Sequence, residues 1–434
     1  MNNIIKILLI LLFFQGILSI IGVSSTLYKS AIDVLIYLIF IIVLAKNKSN
    51  LYIPHKGLHK IFIFYSIIVL FSAVVNESDL FKSFSFYRNT LNGYLFFIAI
   101  SNIHLKRNEV TQIKRLVVFL ILIQPLASLM KFFIIGQSED YIGTFSLSGG
   151  SFSTLVPLLF IPMFYLLWLQ TKRKIFGYLI LGYIFMAFVG DKRVFWFLLP
   201  IVLVLSNSMY KKTYYNRLVK QLKSVILLII IFPVFIYIGA RSLPSLNPDY
   251  EIWGTFDLNY LTNYAVDYSL GNNQDTEYGV GRLGSFNEML LNLNDSNPKT
   301  ITIGDGPDIF VDKNNEDEVS KDYGVLKLSH FTGIMFYLPS VGILGSLSIL
   351  FYFILIYFIA KKKLKHFQNK IGIKRTMWIS ISIMTLIICY DYIFYTKAFV
   401  HSNLLNTLFF FLLGALLNKY DCFFTNKTNS LINK

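Results

Sequence analysis

The stretch LKSVILLIIIFPVFIYIGA–RSLPSLNPDYEIWGTFDLNY, residues 222–260, decides the fold. Its first half is apolar without interruption apart from Lys223 and Ser224. At Arg241 the pattern stops, and the acidic and polar character that follows continues to His330. Those 90 residues hold 15 of the 24 acidic side chains and only 6 of the 40 basic ones, a formal charge of −9. On both sides of this block the chain reads as one apolar segment after another. The composition agrees: 55% hydrophobic and 15% charged, with 41 Phe among 434 residues and a mean hydropathy of +0.58. Soluble chains carry nearer 25% charge. The chain is therefore expected to be an all-α integral membrane protein with one large polar loop.

A helix needs ~20 mostly apolar residues to cross the hydrocarbon. Twelve stretches qualify: roughly 4–22, 30–45, 60–75, 87–103, 116–135, 152–170, 175–190, 194–209, 222–240, 333–360, 376–394 and 403–420. This divides the chain into residues 1–240 with nine spans, 241–332 with the large loop between spans 9 and 10, and 333–434 with three spans and a tail. The first stretch is long and weakly basic at its start, and later loops alternate correctly only if it is kept, so it reads as a span rather than a cleaved leader. Lys and Arg gather on the cytoplasmic side of short loops. With both termini in the cytoplasm, 27 of the 40 basic residues fall on that side. The large loop then faces the non-cytoplasmic side of the membrane. The net charge of +16 belongs to span-flanking loops, so it points away from nucleic acid.

The loop has local order. Residues 241–271 are rich in aromatic, Pro and Asn residues and read as irregular. GRLGSFNEMLLNL, residues 281–293, sets Phe286, Met289, Leu290 and Leu293 at helical spacing. TITIGDGPDIF, residues 300–310, reads as a short extended run into a Gly-Asp-Gly-Pro turn. Leu328–Pro339 reads as a helix entering the membrane obliquely.

Metal chemistry finds no support: the six histidines lack HExxH spacing and no Cys cluster exists. Cys389 falls in a span and Cys422 in the cytoplasmic tail, so no disulfide is expected, and no cofactor is implied. The first outer loop, residues 22–29, has no carboxylate, against the large polyprenyl-donor glycosyltransferase fold; Asp33 lies just inside the next span. The informative cations are on the outer side, against the charge rule. Arg193 follows Gly190-Asp191-Lys192 at the head of a span, Arg282 follows Gly279-Val280-Gly281, and Arg88 heads the fourth span. A salt bridge or snorkelling to lipid phosphate would account for each. So would a diphosphate ligand, because the guanidinium is a planar fork of donors that stays charged when partly buried. His330 stands where the loop re-enters the membrane, placed to take a proton from a hydroxyl.

Three landmarks occur in order: Asp191-Lys192-Arg193; Gly281-Arg282, some twenty residues before Gly304-Asp305-Gly306-Pro307; and His330, followed by Gly342-Ile343-Leu344-Gly345. Together they resemble the O-antigen ligase/O-antigen polymerase superfamily over roughly residues 150–360. The resemblance implies transfer of an undecaprenyl-diphosphate-linked oligosaccharide to an acceptor hydroxyl without metal or nucleotide. It gives Arg193 and Arg282 the diphosphate and His330 the acceptor hydroxyl as catalytic residues. Arg88, Lys192, Gly304, Asp305, Gly306 and Asp391 would line the substrate. The ligases follow the His with an Asn-like residue and place an acid before the later Gly; residues 331–341 contain neither, which favours a polymerase. Substitute acids are Glu288, Asp305, Asp308 and Asp391, the last equally placed to pair with Lys397. Other readings are an O-antigen ligase acting on lipid A-core and a lipid-linked oligosaccharide flippase or transporter. The partners expected for a polymerase are the bilayer, the lipid-linked repeat unit and a chain-length regulator.

Overall fold

A computed structural model describes residues 1–47, 50–136, 143–145, 150–210, 217–270, 282–294, 297–310, 331–367 and 372–424. Every regular element among them is helical. In chain order they are α1 (Asn2–Phe13), α2 (Gln15–Ile20), α3 (Ser25–Lys46), α4 (Lys56–Val75), α5 (Leu80–Asn102), α6 (Arg107–Ile135), α7 (Gly150–Thr171), α8 (Lys174–Val189), α9 (Arg193–Tyr210) and α10 (Arg217–Ser242). The loop contributes a 3-10 turn (Pro244–Leu246), α11 (Leu258–Leu270), α12 (Arg282–Asn294) and α13 (Pro298–Ile303). The chain closes with α14 (Gly333–His366), α15 (Ile373–Tyr390), one π-helical turn (Asp391–Tyr395), α16 (Ala398–His401) and α17 (Asn403–Leu416).

Among the described residues, seven helices are long and apolar enough to cross a membrane: α3, α4, α6, α7, α9, α14, and α15 with its π turn. Four shorter apolar helices accompany them: α1, α8, the described part of α10 and α17. α5 is long but polar, with Asn89, Thr90, Asn92, Ser101 and Asn102 in its 23 residues. Apolar surface on both sides of a helix is what hydrocarbon requires. In α4, Leu58, Phe62, Tyr65, Ile68, Val69, Ser72 and Ala73 pack inward. Ile63, Ile67, Leu70 and Val74, at helical spacing, are exposed on the other side. This is a multi-pass helical membrane protein, and its exposed apolar faces contact the lipid bilayer.

Side-chain caps set several helix starts. Ser24, Asp79, Thr332 and Ser402 each accept a first-turn backbone N–H, at 3.3, 2.8, 3.4 and 3.2 Å. Two helices break inside an expected apolar run. The first span parts at Phe14 into α1 and α2, two residues ahead of Gly16. Thr144 supplies the reason: its hydroxyl donates to the Phe13 carbonyl (2.6 Å), and its own carbonyl accepts from Gly16 N–H (3.0 Å). A polar residue from another segment has replaced rungs of the helix ladder.

The second break is in α14, at Val341 (φ −137°) and Gly342 (φ +66°, ψ −173°). The carbonyls it releases find partners nearby: Pro339 O accepts from Asp305 N–H (2.8 Å), and Ser340 O from Ser72 Oγ (3.2 Å). Residues 333–340 thus form a short helix ahead of the main span; residues 328–330, where the oblique helix was expected to begin, lie outside the described residues.

Two loop expectations need correction. Residues 300–303 are the end of helix α13, not an extended run. The Thr-Ile alternation imitated a strand, but Asn297 caps the start, Pro298 opens the first turn and Gly304 at φ +77° ends it. Residues 258–270, within the stretch read as irregular, are helix α11. Aromatic and Asn residues disguised the helical spacing of Leu261 and Tyr264. The expected helix over 281–293 corresponds to α12, which buries Met289 and Leu293 and leaves Leu290 exposed.

Candidate functional site

The turn between α8 and α9 is tight. Gly190 packs so closely on Ser153 of α7 that a Cβ there would lie 2.3 Å from the serine Cβ. Asp191 takes φ +46°, and the Gly190, Asp191 and Lys192 N–H groups return to carbonyls of α8. This turn delivers Lys192 and Arg193 to the loop end of the bundle. There they line a hollow of ≈ 190 Å³ with Asp191, Phe197, Tyr264 and Tyr395 around it. Lys192 is only 6% exposed.

Arg193 is fixed in two ways. Its Nε donates to Ser245 Oγ at 2.8 Å, and the same hydroxyl lies 3.3 Å from Asp191 Oδ1. Its guanidinium carbon lies 4.7 Å from the centre of the Tyr264 ring, contributed by α11. Arg282, the first residue of α12, lies in the same way over Tyr395, again 4.7 Å from the ring centre. Tyr395 ends the π turn, and its hydroxyl is 2.8 Å from that of Thr154, which is wholly buried in α7. Arg282 is not among the residues lining the hollow; it adjoins the hollow through Tyr395. The structure therefore brings Lys192, Arg193 and Arg282 around one aromatic wall. A π turn at such a place re-aims side chains that an unbroken α-helix would direct elsewhere.

The remaining expected residues lie elsewhere or serve another contact. Arg88 pairs with Asp33 of α3 (Nε to Oδ2, 3.3 Å), and Asn92 Nδ2 donates to the same carboxylate at 2.6 Å. This is the ion-pair reading of Arg88. If the pair is coupled, Arg88→Ala should lower stability by about 2 kcal/mol, less than for a fully buried pair because Arg88 keeps part of its exposure. The double variant with Asp33→Ala should cost clearly less than the sum of the singles. Thermal unfolding in detergent measures it, and simple additivity would show that the two charges do not support each other.

Gly304, Asp305 and Gly306 lie at the break in α14. Besides its N–H bond to Pro339, Asp305 accepts from Thr300 Oγ1 (2.6 Å), while the Gly304 carbonyl accepts from Asn76 (3.0 Å). Asp308 accepts from Asp79 N–H (2.9 Å). The motif fastens the loop to the turn between α4 and α5 and to α14.

Asp391, 1% exposed, accepts from Thr396 Oγ1 (2.5 Å) and Phe399 N–H (3.1 Å), bracing the turn that carries Tyr395. It also lies within electrostatic reach of Arg282. Lys397 lies over the Phe336 ring at 4.4 Å. His330 falls outside the described residues.

The loop beside the site has its own framework. Asn247 Nδ2 donates to the Leu243 and Glu251 carbonyls (2.9 and 2.8 Å), and Arg241 spans the turn to the Gly254 carbonyl (2.8 Å) with its guanidinium over Trp253. Thr255 donates through N–H and hydroxyl to Asp249, holding that carboxyl below its usual range.

Ser245, Thr154 and Tyr395 were not singled out by sequence. Tyr264 was read only as one of the aromatic residues of an irregular stretch. Among the described residues no group of three His, Cys, Asp or Glu side chains could hold a metal ion. No known protein family matches the chain, and no curated protein matches it either.

Proposed function

We propose that the protein polymerises undecaprenyl-diphosphate-linked oligosaccharide repeat units at the periplasmic face of a bacterial inner membrane, with twelve crossings and both termini in the cytoplasm. The observation that carries the reading is the cluster of three cations at the loop end of the bundle. Lys192 and Arg193 line the hollow, and Arg282 covers Tyr395 on its wall. In the transfer, an acceptor hydroxyl attacks the anomeric carbon of a lipid-linked glycan and the lipid diphosphate departs with the bonding electrons. Negative charge grows on the leaving group, and cations fixed beforehand favour the transition state over the ground state. Lys192 and Arg193 receive the diphosphate, with Arg282 beside them, and His330 takes the proton of the acceptor hydroxyl. Arg88, already paired with Asp33, is left out of the substrate contacts.

Deleting a polymerase leaves surface glycan one repeat long. Deleting a flippase removes it altogether, and deleting a ligase leaves polymer on the carrier lipid. The purified protein given defined lipid-linked repeat units should lengthen them without nucleotide sugar. Failure to extend any such substrate, with glycan lost entirely from the deletion strain, would favour transport instead. His330→Ala is expected to lose most of the extension activity while the protein still inserts.

A further inference from the structure

The two arginines are held by exchange. Arg193 belongs to the bundle and rests on a tyrosine of the loop, Tyr264; Arg282 belongs to the loop and rests on a tyrosine of the bundle, Tyr395. Each stack crosses the boundary between bundle and loop, and both rings line the same hollow. A guanidinium held over a ring has fewer directions open to its N–H groups than one free in solvent. Each stack is also anchored at one further point. Ser245 holds Nε of Arg193, and buried Thr154 holds the hydroxyl of Tyr395. Asp391 braces the turn on which Tyr395 is carried.

We infer that Tyr395 is a positioning residue whose ring directs Arg282 toward the diphosphate that Lys192 and Arg193 hold, a contact that a monophosphate does without. The inference rests on the diphosphate reading of the preceding section. Lys192 and Arg193 meet one phosphoryl group in the hollow, and Arg282 reaches the other past the edge of the Tyr395 ring. A lipid monophosphate can satisfy only one side. Taking away the Tyr395 ring lets the Arg282 fork turn, so the diphosphate loses a partner and the monophosphate loses little.

The test is binding of undecaprenyl diphosphate and undecaprenyl monophosphate to the full-length protein in nanodiscs, at fixed ionic strength. Wild type should prefer the diphosphate by about tenfold, the order expected for one additional charge-assisted contact. Tyr395→Leu should weaken diphosphate binding by about five- to tenfold, the size of a partly buried cation–ring contact, while changing monophosphate binding less than twofold. Tyr395→Phe keeps the ring and should retain the preference, although it gives up the Thr154 hydrogen bond. A variant that merely loosened the fold would weaken both ligands together.

Equal affinity of wild type for the two lipids, or unchanged diphosphate binding in Arg193→Ala and Arg282→Ala, would overturn the diphosphate reading itself. If the arginine variants lose binding but Tyr395→Leu keeps the full preference, the positioning role alone is wrong. Gel filtration identifies a leucine variant that does not fold. In that event Tyr395→Phe and Tyr395→Trp decide: retained preference in both supports the ring's role, and loss in both overturns it.

Discussion

Arg193→Ala and Arg282→Ala are each expected to abolish polymer, leaving single repeat units on the surface while the protein accumulates normally in the membrane. On the proposed mechanism each guanidinium opposes charge that develops only as the diphosphate leaves. Deleting one preorganised donor of that kind typically costs 10²–10³ in turnover, enough to erase a ladder of chain lengths on a gel. Folding should tolerate the change, since each arginine belongs to the first turn of its helix and not to the apolar core. Arg→Lys at either position should recover only part of the activity. A lysine keeps the charge, but it lacks the planar fork and cannot lie flat on Tyr264 or Tyr395. The gel profile of surface glycan, read beside an immunoblot of the membrane fraction, gives the result. Normal-length chains from both alanine variants would remove the arginines from the mechanism.

Gly342→Ala should be the most damaging glycine-to-alanine substitution among the described residues. Gly342 holds φ +66° with ψ −173°, a region that side chains other than glycine scarcely enter, at a cost of about 1–3 kcal/mol. A Cβ there would also lie 2.3 Å from the Thr302 carbonyl carbon and oxygen, which are backbone atoms and cannot swing aside. Overpacking of that kind adds about 1–3 kcal/mol. Gly304 faces the same junction from the loop: at φ +77° its Cβ would meet the Ser340 and Val341 backbone at 2.5 Å. Alanine at either position should separate α13 from the broken helix and lower the apparent melting temperature in detergent. Gly177→Ala, where an added Cβ meets nothing within 4 Å, is the matched control. A melting temperature for Gly342→Ala equal to that of the control would mean that the junction is not formed in solution.

These two sets of residues show how much could be read from the chain. The landmarks Gly304-Asp305-Gly306 and Gly342 are some forty residues apart in sequence, and both were legible as glycines in unusual contexts. Their pairing was not, because backbone-to-backbone approach leaves no pattern in sequence beyond the missing side chain. The turn motif was therefore assigned to substrate, whereas its atoms are engaged with the turn between α4 and α5 and the break in α14. Arg88 shows the same limit. An arginine at the head of a span reads alike whether it meets a ligand or a carboxylate, and Asp33 is 55 positions away on another helix. For Asp391, burial and hydrogen bonding to Thr396 and Phe399 explain a carboxylate in an apolar run without a ligand.

The amino-acid pattern by itself determined that the chain is helical and bilayer-embedded, that residues 241–330 form its one polar block, and which cations stand apart from the other basic residues. Those properties depend on transfer free energy and helical periodicity, which are local and roughly additive along a segment. Only the tertiary structure decided which cations share a site. It placed Lys192 and Arg193 in one hollow and set Arg282 against its wall, while giving Arg88 to Asp33. It also recruited Tyr264, Tyr395, Ser245 and Thr154. A planar cation takes its direction from whatever ring or hydroxyl meets it across the fold, and the partners here come from α7, α11, the 3-10 turn and the π turn, far apart in the chain.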